Sequence, residues 1–111
     1  MKKVALLCIV VILFSCQNSA VKDEIATSFY VGTYTDSDSK GIYKYELSKE
    51  GKLNQIGLVA ETRNPSFLSK SRNGKTLFAV DEANELGTGF VKSYKIEKDS
   101  LTLISTSKSE R

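Results

Sequence analysis

Hydrophobic positions divide this chain into two unlike parts. Val4 to Phe14 is an unbroken apolar run of eleven residues. From Ser28 onward, apolar residues come instead in short β-branched and aromatic runs, separated by Gly, Asn, Asp and Ser. That second texture predicts strands. Phe29 to Thr33 reads as a strand buried on both faces. Ile42 to Leu47 alternates, with Tyr43, Tyr45 and Leu47 on one face and Lys44 and Glu46 on the other. Leu53 to Ala60, Ser66 to Ser69, Leu77 to Val80, Phe90 to Ile96 and Leu101 to Ser105 complete the set. Asn73-Gly74 predicts a tight type I′ hairpin, and Glu50-Gly51 and Lys98-Asp99-Ser100 predict further turns. No window of ten residues after Cys16 carries a helical period, so the region is expected to be all-β.

The strand pattern repeats. Phe29-Tyr30-Val31 matches Leu77-Phe78-Ala79 at a separation of 48 residues, and Gly41 matches Gly89 at 48. Tyr45 and Leu47 match Tyr94 and Ile96 at 49, and Leu53 matches Leu101 at 48. A period of about 40 to 50 residues holding four short strands is the mark of a β-propeller blade.

The apolar run near the N-terminus is too short to cross a bilayer, which takes about 20 apolar residues. With Met1-Lys2-Lys3 ahead of it, it has the layout of an export signal. It ends Leu13-Phe14-Ser15-Cys16, which resembles the lipobox of bacterial lipoproteins. That resemblance implies cleavage before Cys16 and lipidation of its thiol, several acyl chains giving a stable membrane anchor. Gln17 follows, so no Asp retention signal stands there, and an outer-membrane or periplasmic-face location is expected. Residues 1–15 are then the signal, 16–27 a polar tether, and 28–111 the domain.

Composition narrows the chemistry. Hydrophobic residues at 41% and charged residues at 26% fit a folded domain. Without Lys2 and Lys3 the sixteen basic side chains become fourteen, against thirteen acidic. So balanced a chain gives no electrostatic reason to expect nucleic acid as a partner. Loss of the signal removes Cys8 and leaves Cys16 alone, which excludes an internal disulfide. With no histidine and no Gly-x-Ser-x-Gly, a serine hydrolase site is excluded for this stretch.

The residues Phe29-Tyr30-Val31-Gly32-Thr33-Tyr34-Thr35, then Gly41-Ile42-Tyr43, resemble the opening of the lactonase family of seven-bladed β-propellers, the 6-phosphogluconolactonase-like proteins. Asn64-Pro65-Ser66-Phe67-Leu68 and Leu77-Phe78-Ala79-Val80-Asp81-Glu82 are similar to that family's next segment, which commonly has Asn where Asp81 stands. The resemblance covers about residues 28 to 106. It implies three strands of one blade and all four of the next, out of an expected seven. The chain is then the N-terminal part of a longer propeller, the site lies at the channel mouth, and the histidine and arginine positions considered for the chemistry fall in later blades.

Asp36-Ser37-Asp38 begins like a calcium loop, but Lys40 and Leu47 stand where ligands are needed, so a solvated loop is expected and no metal. Gly87-Thr88-Gly89 precedes a strand rather than a helix and reads as a turn, not a phosphate cradle. Asp81-Glu82 closes a buried strand. A carboxylate there can act as a base on water attacking a lactone carbonyl, and Glu82 is the candidate catalytic residue. Asn64 and Arg63 are candidate substrate-binding residues, although Asn64-Pro65 also suits a backbone-shaping turn at a strand start. The expected function is a sugar-lactone hydrolase of the cell envelope, without cofactor, inactive as this piece alone and monomeric as a whole ring. The alternative is a non-catalytic envelope propeller that binds glycan or protein.

Overall fold

The computed structural model describes residues 23–82 and 87–109. The signal, the lipobox and Cys16 lie outside them, as do residues 83–86. All seven expected strands are present: β1 (Ile25–Gly32), β2 (Gly41–Ser48), β3 (Leu53–Glu61), β4 (Pro65–Lys70), β5 (Thr76–Asp81), β6 (Phe90–Ile96) and β7 (Leu101–Lys108). They form two antiparallel meanders, β1-β2-β3 and β4-β5-β6-β7. The first strand begins at Ile25, inside the stretch read as tether, because Ile25 pairs with Ser48 and Lys49 N–H donates to Glu24 at 2.8 Å.

The 48-residue repeat is a repeat of register. Phe29 pairs with Tyr45, and its counterpart Leu77 pairs with Tyr94. Tyr45 then pairs with Gln55, and Tyr94 with Leu103. Both sheets also shift register at the same place, between Lys44 and Tyr45 and between Ser93 and Tyr94. Hence β1, β2 and β3 correspond to β5, β6 and β7, and β4 has no counterpart in the first sheet among the described residues.

The Asn73-Gly74 turn differs from expectation. It is not type I′: Gly74 has φ 69°, while Asn73 is not in the left-handed region. Instead Gly74 N–H closes a four-residue turn onto Ser71 at 2.9 Å, and the Asn73 side-chain oxygen accepts from Ser71 Oγ and Lys75 N–H. The side chain supplies the acceptor that a two-residue loop would draw from backbone. Gly51 closes the same kind of turn onto Ser48, with φ 87°.

The two sheets stack face to face around Ile42, Val59, Leu77, Ala79, Tyr94 and Leu101. On β2 the buried face is therefore the one carrying Ile42 and Lys44, not the aromatic one. Lys44 is tolerated there because its ammonium donates to the Lys98 carbonyl and meets Asp99 at 3.1 Å. Its aliphatic stem fills apolar space while the charge is satisfied at the far hairpin. Tyr45 lies on the opposite face, stacked on Phe29 with centroids 5.9 Å apart. Each blade thus turns its tyrosine face in the same direction. In the second blade that face is covered by the first, and in the first it is open. Leu101 is 9% exposed, whereas its counterpart Leu53 is 59% exposed.

Candidate functional site

Because the strands run up and down, β1, β3, β5 and β7 end, and β2, β4 and β6 begin, at one edge of the stack. That edge carries the 33–40 loop, the Thr62-Arg63-Asn64 turn and the segment after Asp81. The opposite edge carries the short hairpin turns and, among the described residues, Asp23 and Glu24 ahead of β1. The sequence candidates Arg63, Asn64 and Glu82 all fall on the first edge.

Asn64 organises it. Its backbone is left-handed, φ 41°, a region that Asn tolerates better than most residues. Its side-chain oxygen accepts from the Thr35 amide at 2.7 Å and from Thr35 Oγ1 at 3.0 Å, while its own N–H donates to Thr35 Oγ1 at 3.2 Å. Its carbonyl accepts from Glu82 N–H at 3.0 Å. One buried residue therefore joins the first blade's loop to the end of β5. Nearby, Gly32 passes so close to β4 that a Cβ would lie 2.0 Å from the Pro65 carbonyl oxygen. Only glycine allows that approach.

Asp81 is buried, and its carboxylate meets Lys92 Nζ at 2.6 Å and accepts from Thr62 Oγ1 at 2.9 Å. Lys92 also donates to Thr62 Oγ1 at 2.7 Å. Charge is tolerable here because each group is neutralised and hydrogen-bonded. Neither Lys92 nor Thr62 was among the sequence candidates. The available signal was a lysine two residues before Tyr94, on the buried face of β6, across from a strand that ends in an aspartate.

Glu82, next in the chain, is exposed. It lines a cavity of about 350 Å³ together with Arg63, Asp81, Lys92, Phe90, Thr88 and Thr106. The glycine-flanked Thr88 thus faces this cavity. Arg63, also exposed, stands on the wall of a second cavity of about 300 Å³, lined by Thr35, Ser37, Ser39, Lys40, Glu61 and Thr62. Asn64 lines neither, since its oxygen is committed to Thr35. The first cavity is lined by one exposed carboxylate, Glu82, by the Arg63 guanidinium and by the paired Asp81 and Lys92. That is a set able to hold a polar ligand and to accept a proton from water.

Comparison with known proteins places this arrangement. The model of the family "Lactonase, 7-bladed beta-propeller" matches residues 28–111. A 6-phosphogluconolactonase of Bacillus subtilis is 40% identical over 72 residues, which are 64% of this chain and 20% of that protein. The periplasmic gluconolactonase of Pseudomonas aeruginosa is similar in structure, with TM-score 0.65 and 32% identity over 72% of this chain and 24% of its own. A Lactobacillus plantarum protein of known structure has TM-score 0.65 and 29% identity over 74% of this chain and 24% of its own. The chain therefore spans between a fifth and a quarter of the length of these proteins. Two stacked antiparallel meanders in one repeating register, matched by the family model over residues 28–111, make the chain a member of the lactonase family of seven-bladed β-propellers.

Proposed function

We propose that this chain supplies the first blades of a sugar-lactone hydrolase of the cell envelope, anchored through Cys16. The carrying observation is that the exposed Glu82 and Arg63 line one cavity at the edge where both sheets gather their loops. The names of the Bacillus subtilis and Pseudomonas aeruginosa proteins support lactone as the substrate class, and the periplasmic setting of the latter supports export.

In the proposed reaction Glu82 takes a proton as the oxygen of water bonds to the lactone carbonyl carbon. Negative charge gathers on the former carbonyl oxygen, where Arg63 stabilises it. The bond from that carbon to the ring oxygen then breaks, and the ring oxygen receives the proton from Glu82. The product is the open-chain hydroxy acid. A catalytic mouth needs groups from several blades held within about 0.5 Å of productive geometry. The 111-residue chain alone is accordingly inactive.

The test is lactone consumption, corrected for spontaneous hydrolysis, in a seven-bladed protein carrying this segment. Glu82→Gln is expected to lower kcat by roughly 100-fold or more, the usual scale of a lost general base. Glu85→Gln, in the segment outside the described residues, is expected to change it far less. Equal effects would remove Glu82 from the role. A folded ring that binds sugar but turns over no lactone would favour the binding module.

A further inference from the structure

Charge is spread unevenly between the two ends of the strands. At the hairpin-turn edge Asp23 and Glu24 are taken up by Lys52 and Lys49, Glu97 by Lys95, and Asp99 by Lys44. Among the described residues, that leaves exposed Lys70, Arg72, Lys75 and Lys98 against exposed Glu50 alone, a surplus of three positive charges. At the loop edge the balance is reversed. With Asp81 and Lys92 paired, Asp36, Asp38, Glu61 and Glu82 stand there against Lys40, Arg63 and Lys108.

The cations of the turn edge are mounted on closed turns. Ser71 N–H donates to the Thr76 carbonyl at 2.9 Å, and Lys75 N–H donates to the Asn73 side chain at 3.0 Å. The Lys75 carbonyl accepts from Ile96 N–H at 2.9 Å, which ties this turn to the strand leading to Lys98. The chain also enters the domain at this edge, where the Asp23 carboxylate lies 3.3 Å from Lys52 Nζ. Asp23 stands seven positions after Cys16, and a fully extended chain of that length reaches about 25 Å at most. The basic edge is therefore kept near whatever holds Cys16. The loop edge lies across strands of six to nine residues, roughly 20–30 Å away.

We propose that the hairpin-turn edge, through Lys70, Arg72, Lys75 and Lys98, docks on the anionic phospholipid surface of the membrane that holds the chain. The inference rests on the envelope-anchor reading for placing a membrane at Cys16, and it is independent of the lactonase reading. An anionic leaflet attracts basic side chains within a Debye length, about 8–10 Å, and each favours the docked state roughly fivefold. A lipid-bearing N-terminus and a basic patch then act together as two membrane signals on one short tether. Docked in this way, the edge carrying Glu82 and Arg63 opens to water, and its surplus carboxylate is kept away from the headgroups.

The experiment adds the full chain, as a bacterial host produces it, to phosphatidylcholine vesicles with or without phosphatidylglycerol as one third of the lipid. A water-soluble acylating reagent, read by mass spectrometry, then reports the reactivity of each lysine. Lys75 and Lys98 are expected to react about tenfold more slowly on the anionic vesicles than on the neutral ones, while Lys40 and Lys108 keep their rates. Salt at about 0.5 M should remove the protection, and glycerol 3-phosphate should not reproduce it. Arg72→Glu with Lys75→Glu turns the surplus of three into a deficit of one and should abolish protection at Lys98. Arg72→Gln with Lys75→Gln should keep part of it, and Lys40→Gln should keep all of it. No protection on anionic vesicles, equal protection at both edges or on neutral vesicles, protection that survives the charge reversal, or protection by glycerol 3-phosphate would overturn the docking surface. Palmitate incorporation is read separately. Its absence with turn-edge protection intact would remove lipidation at Cys16 and leave the docking surface standing.

Discussion

If each blade packs its tyrosine face on the blade before it, repeat-equivalent residues should differ in cost according to cover alone. Leu101 and Leu53 make the sharpest pair, because they occupy one register position in successive blades and differ in exposure, 9% against 59%. Leu→Ala removes three carbons, roughly 2.4 kcal/mol of transfer free energy when fully buried. Scaled by burial, that gives about 2 kcal/mol for Leu101→Ala and about 1 kcal/mol for Leu53→Ala. A residual cavity between the sheets adds to the first and not to the second, so Leu101→Ala is expected at about 2–4 kcal/mol. Thermal or urea unfolding of the 111-residue chain reads the difference, with each kcal/mol moving Tm by roughly 4–8 °C for a domain of this size. In a seven-bladed protein carrying the segment, a blade covering the Phe29–Tyr45 face should raise the cost of Leu53→Ala to that of Leu101→Ala. Equal costs in the short chain would refute the assigned direction of stacking.

Two further outcomes follow from other parts of the molecule. Asp81→Asn or Lys92→Met alone should each destabilise by about 2 kcal/mol, because each strands a largely buried partner, while the double variant should recover at least half of the summed loss; strict additivity in the double-mutant cycle would show that the pair is not coupled. In a bacterial host the chain should incorporate labelled palmitate and partition into detergent, and Cys16→Ser should abolish both; unchanged labelling would exclude lipidation at Cys16.

Strand positions were legible because alternation and turn residues are local properties, and a register that recurs at 48 residues writes itself twice. The face that β2 buries was not legible. Alternation set three large apolar side chains against Lys44 and Glu46, and local pattern favours burying the former. The decision is made at a distance, by the Lys98 carbonyl and Asp99 receiving the Lys44 ammonium, and by the open Phe29–Tyr45 face being the counterpart of one covered in the second blade. The turn at Asn73-Gly74 departs from type I′ for a related reason: the Asn73 side chain closes a longer loop than the dipeptide alone suggests. At the site, the strand ends that carry Arg63 and Glu82 follow from alternation and turn residues alone. Asn64 stands at such an end too, but the structure commits its oxygen to Thr35. Thr62 and Lys92 could not be found, because what singles them out is a contact with Asp81 across 19 residues in one case and between neighbouring strands in the other.

The most direct test of the account is sugar-lactone hydrolysis measured side by side for the 111-residue chain and for a seven-bladed protein carrying it. The account predicts turnover above the spontaneous rate in the ring and none in the short chain, since the mouth takes groups from several blades. Turnover by the purified short chain, or a folded ring inert toward every lactone tried, would contradict it.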